Sequence, residues 1–167
     1  MDYYDIDGIL SENQKVPCTC NVSIPGLGHE GREVPAGSKV ELPFWLAEVL
    51  AVNSFVSIHM PIPFSSVVRN ALKANPTSVP LRDICSNYYH FSENMLHVIS
   101  DEQLAQLSLD TLRKRALLIA DGALNPQGAL QQNSDFINGL DDFEKYLLRT
   151  AHSTHRSLTH WQNSTNN

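Results

Sequence analysis

The sequence lacks the features that mark several classes of protein. Its 167 residues include only three cysteines, and so few thiols, in an odd number, favour the reducing cytosol or nucleus over a secreted disulfide framework. There is neither a signal peptide nor an apolar run of membrane length, which predicts a soluble intracellular protein. Basic residues number 12 against 18 acidic ones, and the net charge of -6 disfavours free-standing binding to nucleic acid.

Glycine is also missing over a long stretch. None occurs between Ser38 and Asp121, whereas five of the eight glycines precede residue 38. The glycine-rich start predicts short strands joined by turns, and the rest predicts helices. We therefore expect an α+β fold that is mainly α-helical. It comprises a small β domain over residues 1–42 with a short N-terminal helical turn, a helical-bundle domain of about five helices over residues 43–161, and a disordered tail over residues 162–167.

Alternation predicts the β domain. Apolar residues recur at every second position from Val16 to Ile24, which is the period of a half-buried strand. Pro25-Gly26-Leu27-Gly28 supplies a turn, a second strand ends at Leu42, and Asp5 can cap a short helical turn near the start. A piece of this size buries too little surface to fold alone, so it must lie on the helical half, lie on a partner, or move between the two.

A hinge joins the two halves. Leu42 must stay extended because it precedes Pro43, and that proline can occupy the first position of a helix. The following nine residues, 44–52, carry a single charge and predict a helix that is apolar on all sides. Such a helix is either the core helix of an ordinary domain or a helix held between its own domain and a partner subunit.

Amphipathic spacing predicts the remaining helices. Residues 64–72 and 81–89 both show apolar side chains three and four positions apart. Ser100 opens a capping box, which predicts a helix over residues 101–121. Ser134 can cap a last helix. Its apolar stripe is formed by Phe136, Leu140, Phe143, Leu147, Thr150, Thr154, Leu158 and Trp161.

Three parts of the sequence resemble one known family. They are Tyr3-Tyr4-Asp5-Ile6-Asp7-Gly8-Ile9-Leu10, then Lys15-Val16-Pro17-Cys18 with Pro25-Gly26-Leu27-Gly28, and last Gly37-Ser38-Lys39-Val40-Glu41-Leu42-Pro43-Phe44-Trp45-Leu46-Ala47. In this order they are similar to the third PSF subunit of GINS, the four-subunit assembly of the eukaryotic replicative helicase. All three lie before residue 48, and the resemblance thins to a helical pattern afterwards.

The resemblance implies a function. A member of this family is a non-catalytic structural subunit of a heterotetramer that also contains the other three GINS subunits. In the nucleus that complex binds the MCM helicase ring and associated replisome proteins during initiation and elongation of DNA replication. The resemblance also implies that the β domain precedes the helical domain, which agrees with the order found here. It implies no contact with membrane and only indirect contact with nucleic acid, through the complex.

Apolar surface beyond the needs of one domain predicts where partners bind. In the 101–121 helix apolar residues cover an arc of roughly 200°. Arg115 lies inside this arc. Either its long side chain extends so that the guanidinium reaches solvent, or the guanidinium is bound by a carboxylate or by helix C-terminal carbonyls. Those acceptors can belong to this chain or to a neighbouring subunit. The residues that we expect at the partner interface are Trp45, Leu46, Leu50, Leu112, Arg115, Phe136, Leu140, Phe143 and Leu147.

Candidate chemical sites are poorly supported. Strand alternation accounts for Cys18 and Cys20, whose spacing does not suit zinc. His152 and His155 could chelate a metal together, yet no nearby cysteine completes a ligand set. The basic run Arg113-Lys114-Arg115 begins on a solvated helix face. We therefore assign no catalytic, cofactor-binding or metal-binding residue and expect no cofactor.

Two other classes of protein stay open. One is a small intracellular helical enzyme that uses His and Asp or Glu side chains in a cleft, and the other is a self-contained helical DNA-binding module; neither has a recognisable motif. An enzyme should be a folded monomer with a concave polar pocket, and the affinity of a DNA binder should fall steeply with salt. A structural subunit produced alone should instead aggregate or expose apolar helix faces.

Overall fold

The computed structural model of the chain describes residues 5–28, 31–124 and 134–165. Within them it contains three β-strands and eight α-helices, which confirms the predicted α+β, mainly helical fold. The strands are β1 (Lys15–Cys20), β2 (Lys39–Pro43) and β3 (Val56–Ile58). The helices are α1 (Ile6–Glu12), α2 (Phe44–Val52), α3 (Ser66–Ala74), α4 (Leu81–Ile84), α5 (Tyr88–Val98), α6 (Glu102–Leu124), α7 (Ser134–Asn138) and α8 (Asp142–Thr165). None of these helices is long and apolar enough to cross a membrane.

The chain forms two compact units. The first contains Met1–Ser66 and His90–Ser100, and the second contains Val67–Tyr89 and Asp101–Asn167. The sequence predicts a boundary at residue 42, whereas the first unit continues through α2 because this helix packs against all three strands. The predicted β domain is therefore part of a larger unit that includes helices.

The sheet is antiparallel with the strand order β2-β1-β3, and Cys18 in the central strand lies opposite Val40 and Ile58. Val16, Cys18 and Cys20 are buried, as the alternation predicts. The strand predicted to reach Ile24 ends at Cys20, and Ile24 pairs with Val34 in an isolated antiparallel bridge. The Cys20 carbonyl accepts the N–H of Gly37 at 2.7 Å. Gly37 has a φ of 82°, a conformation that favours glycine.

Aromatic rings fill the core of the first unit. Phe44 of α2 meets Phe91 edge-on at a centroid distance of 6.4 Å, and Phe64 lies 5.2 Å from Phe91. All three rings are buried, and such pairs add to the stabilisation from burial itself. A buried hydrogen bond from Asn94 Nδ2 to Ser11 Oγ at 2.9 Å ties α1 to α5.

In the second unit the long helix α6 packs along α8. Helix α6 begins one residue later than predicted because Asp101, and not Ser100, caps it: Asp101 Oδ1 accepts the N–H of Leu104 at 3.1 Å. Arg69 binds the other oxygen of this carboxylate at 2.7 Å. The hydrogen bond from Arg69, followed by the one from Leu104, lowers the pKa of Asp101.

Two helices predicted as continuous are broken. The chain is extended at Cys85, with φ near -160°, so α4 and α5 are separate. The predicted last helix is divided into α7 and α8 at Gly139, where an added Cβ would lie 2.9 Å from Pro80 Cα. This close approach of distant backbone is not visible in local periodicity.

The C-terminal end also differs from its prediction. Residues 162–165 were expected to be disordered, but α8 continues to Thr165. No glycine or proline interrupts the sequence after Gly139, and hydroxyl groups bond carbonyls within the helix, for example Thr159 Oγ1 to His155 O at 2.9 Å. Tyr3 and Tyr4 of the family resemblance and residues 166–167 of the predicted tail lie outside the described residues.

Candidate partner-binding surfaces

Helix α2 has a buried side and an exposed apolar side. Phe44 and Ala47 are buried. Trp45, Val49 and Val52, spaced at i, i+4 and i+7, lie on one side of the helix and are 50%, 56% and 80% exposed. We call these three residues the α2 patch. An apolar row of this kind in water is typical of a surface that binds another protein.

Helix α1 adds apolar surface in the same unit. It contacts α2, and its Ile6, Ile9 and Leu10 are all exposed. These three residues lie on one side of the short helix. Their spacing of three and four was the available signal, but it does not tell whether that side faces the protein or the solvent.

Helix α6 exposes leucines on its outer side. Leu109, Leu117 and Leu124 are exposed and lie within about 80° of one another on the helical wheel. Leu104 and Leu107 are buried, and Leu112 is half-buried. Leu109 is the exposed leucine of the predicted apolar arc, whereas Leu117 and Leu124 lie outside that arc, on the side of the helix that the wheel assigns to polar residues.

Arg115 is the centre of a closed polar cluster in the second unit. The side chain has no exposed surface, and its Nε and one terminal nitrogen bond the two carboxylate oxygens of Glu144 at 2.6 and 2.8 Å. The other terminal nitrogen donates to the carbonyls of Pro76 and Val79, each at 2.9 Å. A fifth bond, of 3.4 Å, reaches the carbonyl of Gly139. All five guanidinium N–H groups thus have acceptors within this chain.

These contacts correct part of the predicted interface. Arg115 and Leu140 are both fully buried within this chain and offer no surface to a partner. Arg115 is buried because Glu144 neutralises it and the turns on either side supply carbonyls; the ring of Phe136 also lies 4.7 Å below the guanidinium. The alternatives of solvent exposure and of a partner from a neighbouring subunit are therefore wrong for Arg115.

Glu144 is itself held by neighbours. Tyr89 donates its hydroxyl to Glu144 Oε1 at 2.9 Å, and Glu144 and Asp141 exchange side-chain to backbone bonds of 3.2 and 2.8 Å at the start of α8. Burial, with a smaller contribution from the charge of Glu144, raises the pKa of Asp141 to about 7. The same two causes raise the pKa of Tyr89. The cluster fastens α8 and the turns around it to α6.

The remaining predicted interface residues are more accessible than Arg115. Trp45 is exposed, whereas the others keep an intermediate exposure: Leu46, Leu50, Leu112, Phe136, Phe143 and Leu147. Phe143 contributes to the interior as well, because its ring meets that of Tyr89 edge-on at 5.9 Å. Of the predicted set, Trp45 alone belongs to the α2 patch.

The cysteines behave as small apolar residues. Cys18 and Cys20 are buried in the sheet as predicted, and burial, followed by the charge of Cys20, raises the pKa of Cys18 to about 11. Among the described residues, no group of three or more His, Cys, Asp or Glu side chains is arranged to hold a metal ion. His152, one of the two histidines considered as metal ligands, has its Nε2 atom 3.4 Å from the carbonyl oxygen of Gly122 near the end of α6.

Comparison with known proteins places the chain in a family. Residues 4–52 match the PSF3 N-terminal domain, and residues 64–163 match the GINS complex protein helical bundle domain. The DNA replication complex GINS protein psf3 of Schizosaccharomyces pombe is 79% identical over 165 residues, which cover 99% of both chains. The proteins of the same name from Aspergillus fumigatus and Phaeosphaeria nodorum are 39% and 41% identical over at least 94% of each chain. The chain belongs to the PSF3 family of GINS proteins.

Proposed function

We propose that this chain is a non-catalytic structural subunit of the GINS complex, in which it binds the other three subunits. The observation that carries this proposal is the α2 patch. It lies within the region that matches the PSF3 N-terminal domain, and it leaves a tryptophan and two valines in water on a helix whose other side is buried. The names of the related proteins, which describe members of a DNA replication complex, support the same function.

The energetics favour burial of the α2 patch against a partner. Fully burying one large apolar side chain contributes roughly 1.5–3 kcal/mol, and each residue of the patch keeps half or more of its surface exposed. Helix α1 and the leucines of α6 add further exposed apolar surface. A partner that covers these side chains therefore removes a cost that the isolated chain cannot avoid.

The charged groups do not favour an enzyme. Arg115, Glu144 and Asp141 are the buried ionisable side chains that the described part of the chain brings together, and they are bonded to one another and to backbone groups. A substrate has no access to them. The arrangement stabilises the fold, and we therefore propose a structural role in place of an acid–base one.

Co-expression with the other three GINS subunits tests the proposal. Replacing Val49 by Glu puts a charge in the middle of the α2 patch, so we expect the variant to fold but to be lost from the complex in size-exclusion chromatography with light scattering. Glu48→Gln, on the neighbouring position, is the control and should assemble normally. A Val49→Glu chain that enters a four-subunit complex with wild-type stoichiometry would show that the patch is not an interface.

We further propose that the assembled complex binds the MCM ring in the nucleus. This follows from the family and not from a surface described above. Co-sedimentation of the reconstituted complex with MCM, and imaging of a fluorescent fusion in cells, test the two parts separately.

A further inference from the structure

The charges of this chain are unevenly divided. Its last acidic residue is Glu144, and the 23 residues that follow contain three basic residues, Lys145, Arg149 and Arg156, and three histidines. Nine basic and 18 acidic residues up to residue 144 give that part a net charge of -9, whereas the remainder carries +3. The basic remainder lies almost entirely within α8.

The second half of α8 is exposed. Every described side chain from residue 153 to residue 164 is exposed, over about three helical turns. The first half differs, because Glu144 is buried and Phe143 is half-buried there. One helix therefore begins in the core of its unit and ends as a solvated surface.

Several polar residues of α8 share one side of the helix. At 100° per residue they lie within an arc of about 100°. We call this set the basic stripe: Arg149, His152, Ser153, Arg156 and His160. Arg149 and Arg156 are separated by seven residues, or about 10.5 Å along the helix axis.

The two arginines of the stripe, like the exposed Lys73, Arg82 and Lys114, form no ion pair among the described residues, whereas other cations of the second unit do. Arg115 binds Glu144, Arg69 binds Asp101, and Lys145 binds Asp142. Arg149 and Arg156 are both exposed, and among the described residues no carboxylate lies within ion-pair distance of either. Their guanidinium groups are therefore available to acceptors outside this chain.

We propose that the basic stripe of α8 binds an acidic α-helix of a partner subunit, with Arg149 and Arg156 each pairing with one carboxylate. Acidic residues seven apart on a partner helix repeat the 10.5 Å spacing, at about 1.5 Å per residue, and the planar guanidinium suits bidentate binding of carboxylates. The inference rests on the proposed function, because the partner is taken to be another subunit of the same complex.

A protein partner fits better than nucleic acid. The stripe offers two permanent charges on a chain of net charge -6, which gives little counterion release from a phosphate backbone. The opposite side of the same segment carries Leu158 and Trp161, which are 54% and 63% exposed. A protein can bury both sides, and Trp and Arg are common among the residues that dominate protein interfaces.

Two variants with the same change in charge test the inference. Arg149→Gln/Arg156→Gln removes the stripe charges, and Lys73→Gln/Arg82→Gln lowers the net charge by the same two units at exposed cations of the second unit outside α8. Each full-length chain is titrated with the other three subunits at low and high salt, and circular dichroism checks its helicity. We expect the stripe variant to bind about tenfold more weakly and with a smaller salt dependence, and the control to stay within about twofold of the wild type.

The outcomes separate this inference from the proposed function. A wild-type chain that does not assemble overturns both. Assembly in which the stripe variant matches the wild type, or in which both variants weaken binding alike, overturns the inference alone. A photoreactive residue at Ser153 should cross-link to a partner segment that contains Asp or Glu; a cross-link to nucleic acid, or to a segment without carboxylates, contradicts the proposed occupant.

Discussion

Helix α2 and the Arg115 cluster show opposite relations between polarity and burial. Helix α2 is almost entirely apolar, yet it leaves Trp45, Val49 and Val52 in water. Arg115 and Glu144 carry full charges, yet neither has any exposed surface. The difference teaches that burial follows the availability of partners within the chain. Arg115 finds five acceptors in its own unit, whereas one side of α2 has no neighbour among the described residues that covers it.

Removing the central cation should have the largest effect. Arg115→Met leaves Glu144 buried beside carbonyls that have lost their donors, so we expect it to lower the free energy of unfolding by about 3–5 kcal/mol in urea titrations. Arg113→Met is the matched control, because Arg113 is exposed and lies 3.7 Å from Asp110. It should change the same quantity by no more than about 1 kcal/mol.

A second substitution sharpens this result. Arg115→Met/Glu144→Leu removes both charges and should recover part of the lost stability, as replacing a buried ion pair by apolar residues often does. If Arg115→Met unfolds at the same urea concentration as the Arg113→Met control, the cluster does not stabilise the second unit.

A smaller effect on folding is expected for the exposed side of α2. Trp45 is half exposed, so Trp45→Ala should cost the isolated chain only about 1–2 kcal/mol, while it should weaken assembly with the other subunits more strongly. The buried neighbour provides the contrast: Phe44→Ala should lower the free energy of unfolding by about 3–5 kcal/mol. Equal losses of folding stability in the two variants would contradict the division of α2 into a buried and an exposed side.

The smallest effect is expected for a partly exposed ion pair. The pKa of Asp101 is lowered in the folded state, so its ionised form contributes stability above the ordinary aspartate value of 3.8, and this contribution is lost as the pH falls through and below that value. Asp101→Asn keeps a capping side chain and should cost less than about 1 kcal/mol at pH 7. Urea titrations between pH 2 and pH 7, a range set by that ordinary pKa, should show the difference from wild type vanishing at the acidic end. A difference that is constant with pH would exclude the charge as its cause.

Local sequence predicted some elements well. Helix α2 covers the apolar run Phe44–Val52 as expected, but Pro43, predicted as its first residue, is instead its extended N-cap and the last residue of β2. The buried alternation of Val16, Cys18 and Cys20 was also predicted correctly. The breaks at Cys85 and Gly139 were missed, since the second depends on contact with Pro80, more than fifty residues earlier in the sequence.

The candidate surfaces were harder to predict. Periodicity indicated that Arg115 needs an acceptor, but only the fold brings Glu144 and three carbonyls to it. In α2 the sequence is apolar on both sides, so the pattern contains no information about which side is covered. The burial of Phe44 and Ala47 in the folded chain is what identifies the opposite side of α2, with Trp45, Val49 and Val52, as the exposed one.

The first unit is discontinuous in sequence, and this has a consequence for synthesis on the ribosome. Phe44 and Phe64 pack on Phe91, which is made only after the intervening segment Val67–Tyr89. The aromatic core of the unit cannot close until the chain has been extended past residue 91 and that segment has looped out, which costs chain entropy. Until residues 90–100 emerge from the ribosome, the apolar side chains that pack on Phe91 stay exposed on the nascent chain. A chaperone that binds exposed apolar segments would therefore act on this unit before that point.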